Sequence, residues 1–94
     1  MPVSLTPRER SQLKARAHVL SPVVQLGHGG VSDKVVAEVN RALAAHELIK
    51  VRILSDDREG RIAIGDGLAE RTDSAVVQRV GKIMVLWRPK PEEA

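Results

Sequence analysis

The sequence predicts a compact α/β fold, a four-stranded mixed sheet with about three helices, on three observations. Residues 22–26 form an apolar strand-like run that leads through a glycine-rich turn into an amphipathic pattern and then into a second strand over 48–54. A strand, helix, strand unit of this kind closes by a right-handed crossover with its strands parallel. The apolar runs at 76–80 and 83–88 are separated only by Gly81-Lys82, a two-residue connection that makes them an antiparallel hairpin, so the sheet is mixed. The third observation is size: 94 residues, 43% hydrophobic and 29% charged, suffice for one core and not for two. A single domain over 1–94 is expected, with its core at about 5–90 and a frayed acidic tail at 91–94.

Each element has its own signature. Thr6-Pro7-Arg8-Glu9 places an N-cap threonine, proline at the first helical position and glutamate at the third, predicting a helix that runs to about Ala17 with Leu13 and Ala17 on its core face. Ser32 is the expected N-cap of a second helix, in which Val35, Val36, Val39, Ala42 and Leu43 form one apolar stripe ending near Ala45. In the strand at 48–54, Ile49, Val51 and Ile53 point one way while Lys50 and Arg52 point the other. Asp56 with Glu59 resembles a helix-start box, and the segment 57–72 reads as a third helix. Gly60, Gly65 and Gly67 weaken it, and Arg61-Ile62-Ala63-Ile64 also fits a strand. Glycine before Lys82 suits a type II′ turn. Apolar side chains on both faces of the final run, Trp87 included, predict an interior strand and a core tryptophan.

The sharpest functional clue is Gly27-His28-Gly29-Gly30. Glycine permits positive φ and close backbone approach, and the amides at the start of the following helix favour an anion. The same four residues also suit an ordinary strand-to-helix connector. Net charge is +3, and Arg8, Arg10, Lys14 and Arg16 stand against Glu9 alone in the first thirty residues, so the first helix is basic. Such a field attracts nucleic acid, anionic lipid or acidic protein without choosing among them. Trp87 is the single aromatic residue, which excludes modules that grip single strands by stacking bases on several rings. Cysteine is absent, which rules out disulfides, thiol catalysis and cysteine-ligated zinc. The first residues lack an apolar run of signal-peptide length and no run approaches a spanning helix, so a cytoplasmic protein is expected.

Three segments together resemble a known family. They are Ala17-His18-Val19-Leu20-Ser21-Pro22-Val23-Val24-Gln25-Leu26-Gly27-His28-Gly29-Gly30-Val31, His46-Glu47-Leu48-Ile49-Lys50-Val51, and Val80-Gly81-Lys82-Ile83-Met84-Val85-Leu86-Trp87-Arg88-Pro89. Their order and content are similar to the three signatures of the CRM domain, whose stand-alone bacterial members are the YhbY-type proteins, over about residues 5–90. The resemblance implies a fold like the carboxy-terminal domain of translation initiation factor 3. It also implies binding to structured rRNA in precursors of the large ribosomal subunit, with Gly27, His28, Gly29 and Gly30 as the RNA-contacting loop.

The expected function is therefore non-enzymatic RNA binding that assists assembly of the large subunit, by a monomer, with no cofactor, no metal, no membrane and no DNA partner. Amides of Gly29, Gly30 and Val31 would receive a phosphate, Arg10, Lys14, Lys34, Lys50 and Arg52 would surround it, and Lys82 and Arg88 are further candidates at the hairpin. The alternative is a protein-interaction module whose basic helix docks on an acidic ribosomal or assembly-factor partner. A phosphate-ligand enzyme would need a base or nucleophile by the turn, where the chain offers His28. His18, His28 and His46 lack metal-site spacing, and Asp56-Asp57 suit helix capping better than paired acid chemistry.

Overall fold

The computed structural model describes residues 5–27 and 29–89. His28 and the tail at 91–94 lie outside them. The elements in order are α1 (Pro7–Ala17), β1 (Pro22–Leu26), α2 (Asp33–His46), β2 (Leu48–Ile53), α3 (Arg58–Arg71), β3 (Ala75–Val80) and β4 (Ile83–Trp87). The strands form one sheet in the order β1-β2-β4-β3. β1 and β2 are parallel and the other two pairings antiparallel, the mixed sheet the connections require. β4 lies between β2 and β3, which explains its apolar side chains on both faces.

Two apolar layers hold the sheet. On one face Val39 and Leu43 of α2 and Leu68 and Ala69 of α3 pack on Ile49, Val51, Ile53, Met84 and Leu86. On the other, Leu13 and Ala17 of α1 pack on Leu48, Val77 and Val85, with Leu20 and the half-buried Trp87 at the margin. The strand alternation sends Ile49, Val51 and Ile53 to the two-helix layer and Leu48, Lys50 and Arg52 to the α1 side. A single eleven-residue helix cannot cover that face, so part of it stays open to solvent, with Val80 58% exposed.

Local chemistry sets the ends. At the start of α1 the Thr6 hydroxyl accepts from the Glu9 amide at 3.1 Å and the Thr6 amide donates to Glu9 Oε1 at 3.1 Å. The Thr6 amide, and after it the Thr6 hydroxyl, holds the Glu9 carboxyl below its ordinary pKa. Gly81 takes φ +56° at the first position of the hairpin, where type II′ geometry needs it.

Residues 58–71 are helical, and the cap differs from expectation by one residue. Asp57, not Asp56, caps α3, accepting from the Gly60 amide at 3.1 Å. Asp56 instead pairs with Lys82 at 3.0 Å. Gly65 is explained by packing: a Cβ there would lie 2.6 Å from Met84 Sδ, so the glycine lets α3 settle onto the buried Met84. Gly65→Val is therefore expected to cost about 2 kcal/mol by overpacking, despite valine's better helix propensity. A thermal midpoint lowered by roughly 8–16 °C would register it.

Candidate nucleic-acid interface

The glycine turn leaves β1 beside the end of β2, where the Leu54 amide donates to the Leu26 carbonyl at 3.0 Å. The Gly30 amide donates to the Gly27 carbonyl at 3.3 Å, and Gly30 sits at φ +70°. That bond takes the Gly30 amide out of the set of donors expected to face an anion. The helix also starts later than the turn: Ser32 caps α2, its hydroxyl accepting from the Val35 amide at 3.2 Å. The amides of Asp33 and Lys34, first and second in α2, have no partner within the helix and follow the turn closely in the chain. Space is open around the turn, since a Cβ built at Gly27, Gly29 or Gly30 meets no heavy atom within 4 Å.

One residue bearing on this site was not singled out from the sequence. Arg71, at the end of α3, pairs with Asp33 at 2.6 Å and reaches the Val31 carbonyl at 3.4 Å. It offsets the carboxylate that would otherwise stand at the mouth of the turn. Its only sequence signal is a basic residue in a helix's last turn, which is equally explained by the helix dipole.

The basic residues divide into two groups. Lys14 and Lys50 line one cleft of about 250 Å³ on the α1 side of the sheet, with His18, Gln78 and Val80. Lys50 Nζ donates to the Leu20 carbonyl at 2.9 Å, which fixes the ammonium over the sheet. Arg52 follows on the same face and is exposed. It is paired in register with Gln25, two residues before Gly27, so it joins the cleft to the turn. Lys34 is exposed in the first turn of α2.

The other group is turned inward. Arg10 Nη1 donates to the Val76 and Val77 carbonyls, which flank the register slip in β3. Arg88 donates to Asn40 Oδ1 and the Thr72 carbonyl, both at 2.8 Å, and to the Asn40 carbonyl at 3.2 Å. Lys82 belongs to neither group: it is exposed and pairs with the exposed Asp56 at the hairpin. His18 is the C-cap of α1, its main-chain amide donating to the Lys14 carbonyl at 3.2 Å and the Ala15 carbonyl at 3.4 Å, and His46 is the last residue of α2; both are exposed.

A solved structure shares this architecture, and curated relatives match the sequence. A solution structure of a hypothetical protein from Staphylococcus aureus superposes with a TM-score of 0.84 at 30% identity, covering 97% of this chain and 95% of that one. An RNA-binding protein of Haemophilus influenzae is 43% identical over 89 residues, 95% of this chain and 90% of its own length. A protein of Bacillus subtilis named as a probable RNA-binding protein is 35% identical over 88 residues, covering 94% and 92%. The family model of the CRS1 / YhbY (CRM) domain matches residues 5–88, nearly the whole described chain. With both halves of the sheet, the glycine turn and the final hairpin inside that match, the chain belongs to the CRS1 / YhbY (CRM) domain family.

Proposed function

We propose that this chain is a monomeric, cytoplasmic, non-enzymatic RNA-binding domain that engages structured rRNA of the large ribosomal subunit during its assembly. The observation that carries the reading is the continuity of an open glycine turn with Arg52, Lys50 and Lys14 along the part of the sheet face that α1 leaves open. A phosphate received by the amides of Gly29, Asp33 and Lys34 would place the following backbone over Arg52 and the lysine cleft. Arg10 and Arg88 are left out, because each guanidinium is committed to two or three internal acceptors, whereas Lys50 makes one such bond and keeps further donors. The RNA-binding names of the relatives support the class of partner, and the family resemblance supports rRNA as its source. The described residues of the turn, Gly27, Gly29 and Gly30, carry no base-reading side chain, so their part in recognition rests on phosphate positions and shape.

The test is the salt dependence of binding to a structured rRNA fragment. With several phosphates neutralised, log affinity should fall with log salt at a slope of several units, and Arg52→Ala should flatten it by roughly 0.7–0.9 while weakening different RNA sequences equally. A slope near zero would reject the electrostatic interface. If co-sedimentation with ribosomal particles survives ribonuclease, the basic helix binds a protein instead.

A further inference from the structure

A second basic feature lies outside the surface just described. Between the first turns of α3 and the β3–β4 hairpin is a cavity of about 310 Å³, at the lower end of the roughly 300–1,000 Å³ of small-ligand sites. Its floor is apolar, made by Ile53 and Met84 on the α3 face of the sheet, and Ile62 adds a further apolar side chain. Four cations surround it: Arg58, Arg61, Arg79 and Lys82. Two are matched by carboxylates, Arg79 by Asp66 and Lys82 by Asp56. Arg61 donates to the Ser55 carbonyl at 3.0 Å, which orients the guanidinium without neutralising it. Arg58 makes no hydrogen bond or ion pair among the described residues and is exposed. The cavity thus combines two uncompensated positive charges with an apolar interior.

Its position links it to the glycine turn. The Ile53 amide donates to the Lys82 carbonyl at 2.7 Å and the next amide, of Leu54, donates to Leu26. Hairpin and turn therefore flank the end of one strand, about 10 Å apart at ordinary strand spacing. A single RNA strand covers that distance in a few nucleotides.

Resting on the RNA-binding reading, we propose that this cavity receives one unpaired nucleotide extruded from the bound RNA, its base between the Arg58 or Arg61 guanidinium and the apolar floor, its phosphate against the remaining cations. Arginine planes stack on bases as aromatic rings do, and this chain has no Phe or Tyr and a single Trp to offer. A lone phosphate would leave the apolar floor unused, and an apolar ligand would leave two charges unmatched.

Two RNA hairpins with one stem sequence, one fully paired and one with a single bulged adenosine, test the proposal on the full chain. Wild type should bind the bulged hairpin about tenfold more tightly, the effect of one stacked base. Ile62→Ser and Arg58→Ala, both at exposed positions, should each reduce that preference to within about twofold while retaining the parent's thermal midpoint and most of the affinity for the paired hairpin. Equal wild-type affinities for the two hairpins, or a preference that survives in both variants, would overturn the cavity's role with the glycine-turn interface intact. If neither hairpin binds, the interface reading fails by itself, and the cavity is then judged by NMR. Methyl shifts of Ile62 and Met84 on titration with adenosine 5′-monophosphate, and not with inorganic phosphate, support a nucleotide site; no shift overturns it.

Discussion

Gly29→Asp is expected to lower affinity for structured RNA by at least about tenfold while moving the thermal midpoint by no more than about 3 °C. A Cβ at this position meets no heavy atom within 4 Å, so the side chain enters open space. A carboxylate near the start of α2 is favourable to the helix dipole, which protects stability. The same carboxylate competes with a phosphate for the amides of Asp33 and Lys34 and repels the ligand that remains. Gly67→Asp is the matching control. It makes the same charge change in the second half of α3, where a Cβ also meets nothing within 4 Å. Affinity should stay within about twofold there, since long-range repulsion at one exposed site is screened at ordinary salt. Equal losses in the two variants would mean that net charge alone governs binding. Undiminished binding by folded Gly29→Asp would reduce the turn to a connector and leave Arg52, Lys50 and Lys14 as the contact surface.

What the sequence disclosed, and what it withheld, follows from the range of the interactions involved. The cap at Thr6, the alternation in β2, the glycine hairpin and the interior place of β4 each depend on residues a few positions apart, and each is found as the pattern implies. Gly65 looked like a weak point in a helix because its justification, Met84, arrives from a strand nineteen residues later. The one-residue difference at the α3 cap has the same origin: Asp56 and Asp57 are both capping residues, and the tertiary pairing of Asp56 with Lys82 divides their roles. The basic surface suffers most. Arg10, Lys50 and Arg88 read as free charges, and each has a main-chain carbonyl as acceptor, far away in sequence. A charge is visible in a sequence, but the carbonyl it meets is not. Arg71 is the converse, a plain helix-end arginine that folding brings to Asp33 beside the glycine turn.

Arg88→Ala is expected to be the most destabilising of these changes, by about 3 kcal/mol, a fall in thermal midpoint of roughly 12–24 °C. The guanidinium ties the middle of α2, through the side chain and carbonyl of Asn40, to the end of α3, through the carbonyl of Thr72. Thr72 is 2% exposed, so truncation leaves its carbonyl in a place water does not readily reach. The Arg88 amide also donates to the carbonyl of Glu47, the φ +62° residue that ends α2, and that bond survives in the variant. The loss is thus confined to the side-chain bridge between two helices and not to the end of β4. Arg88→Lys should recover part of the stability and no more, because one ammonium cannot span acceptors that the planar fork reaches together. Both variants, measured at a temperature where they remain folded, should bind RNA within about twofold of the parent with an unchanged salt slope. A slope flattened by close to one unit with little change in midpoint would return Arg88 to the RNA interface, at odds with a part-buried guanidinium already bonded to three internal acceptors.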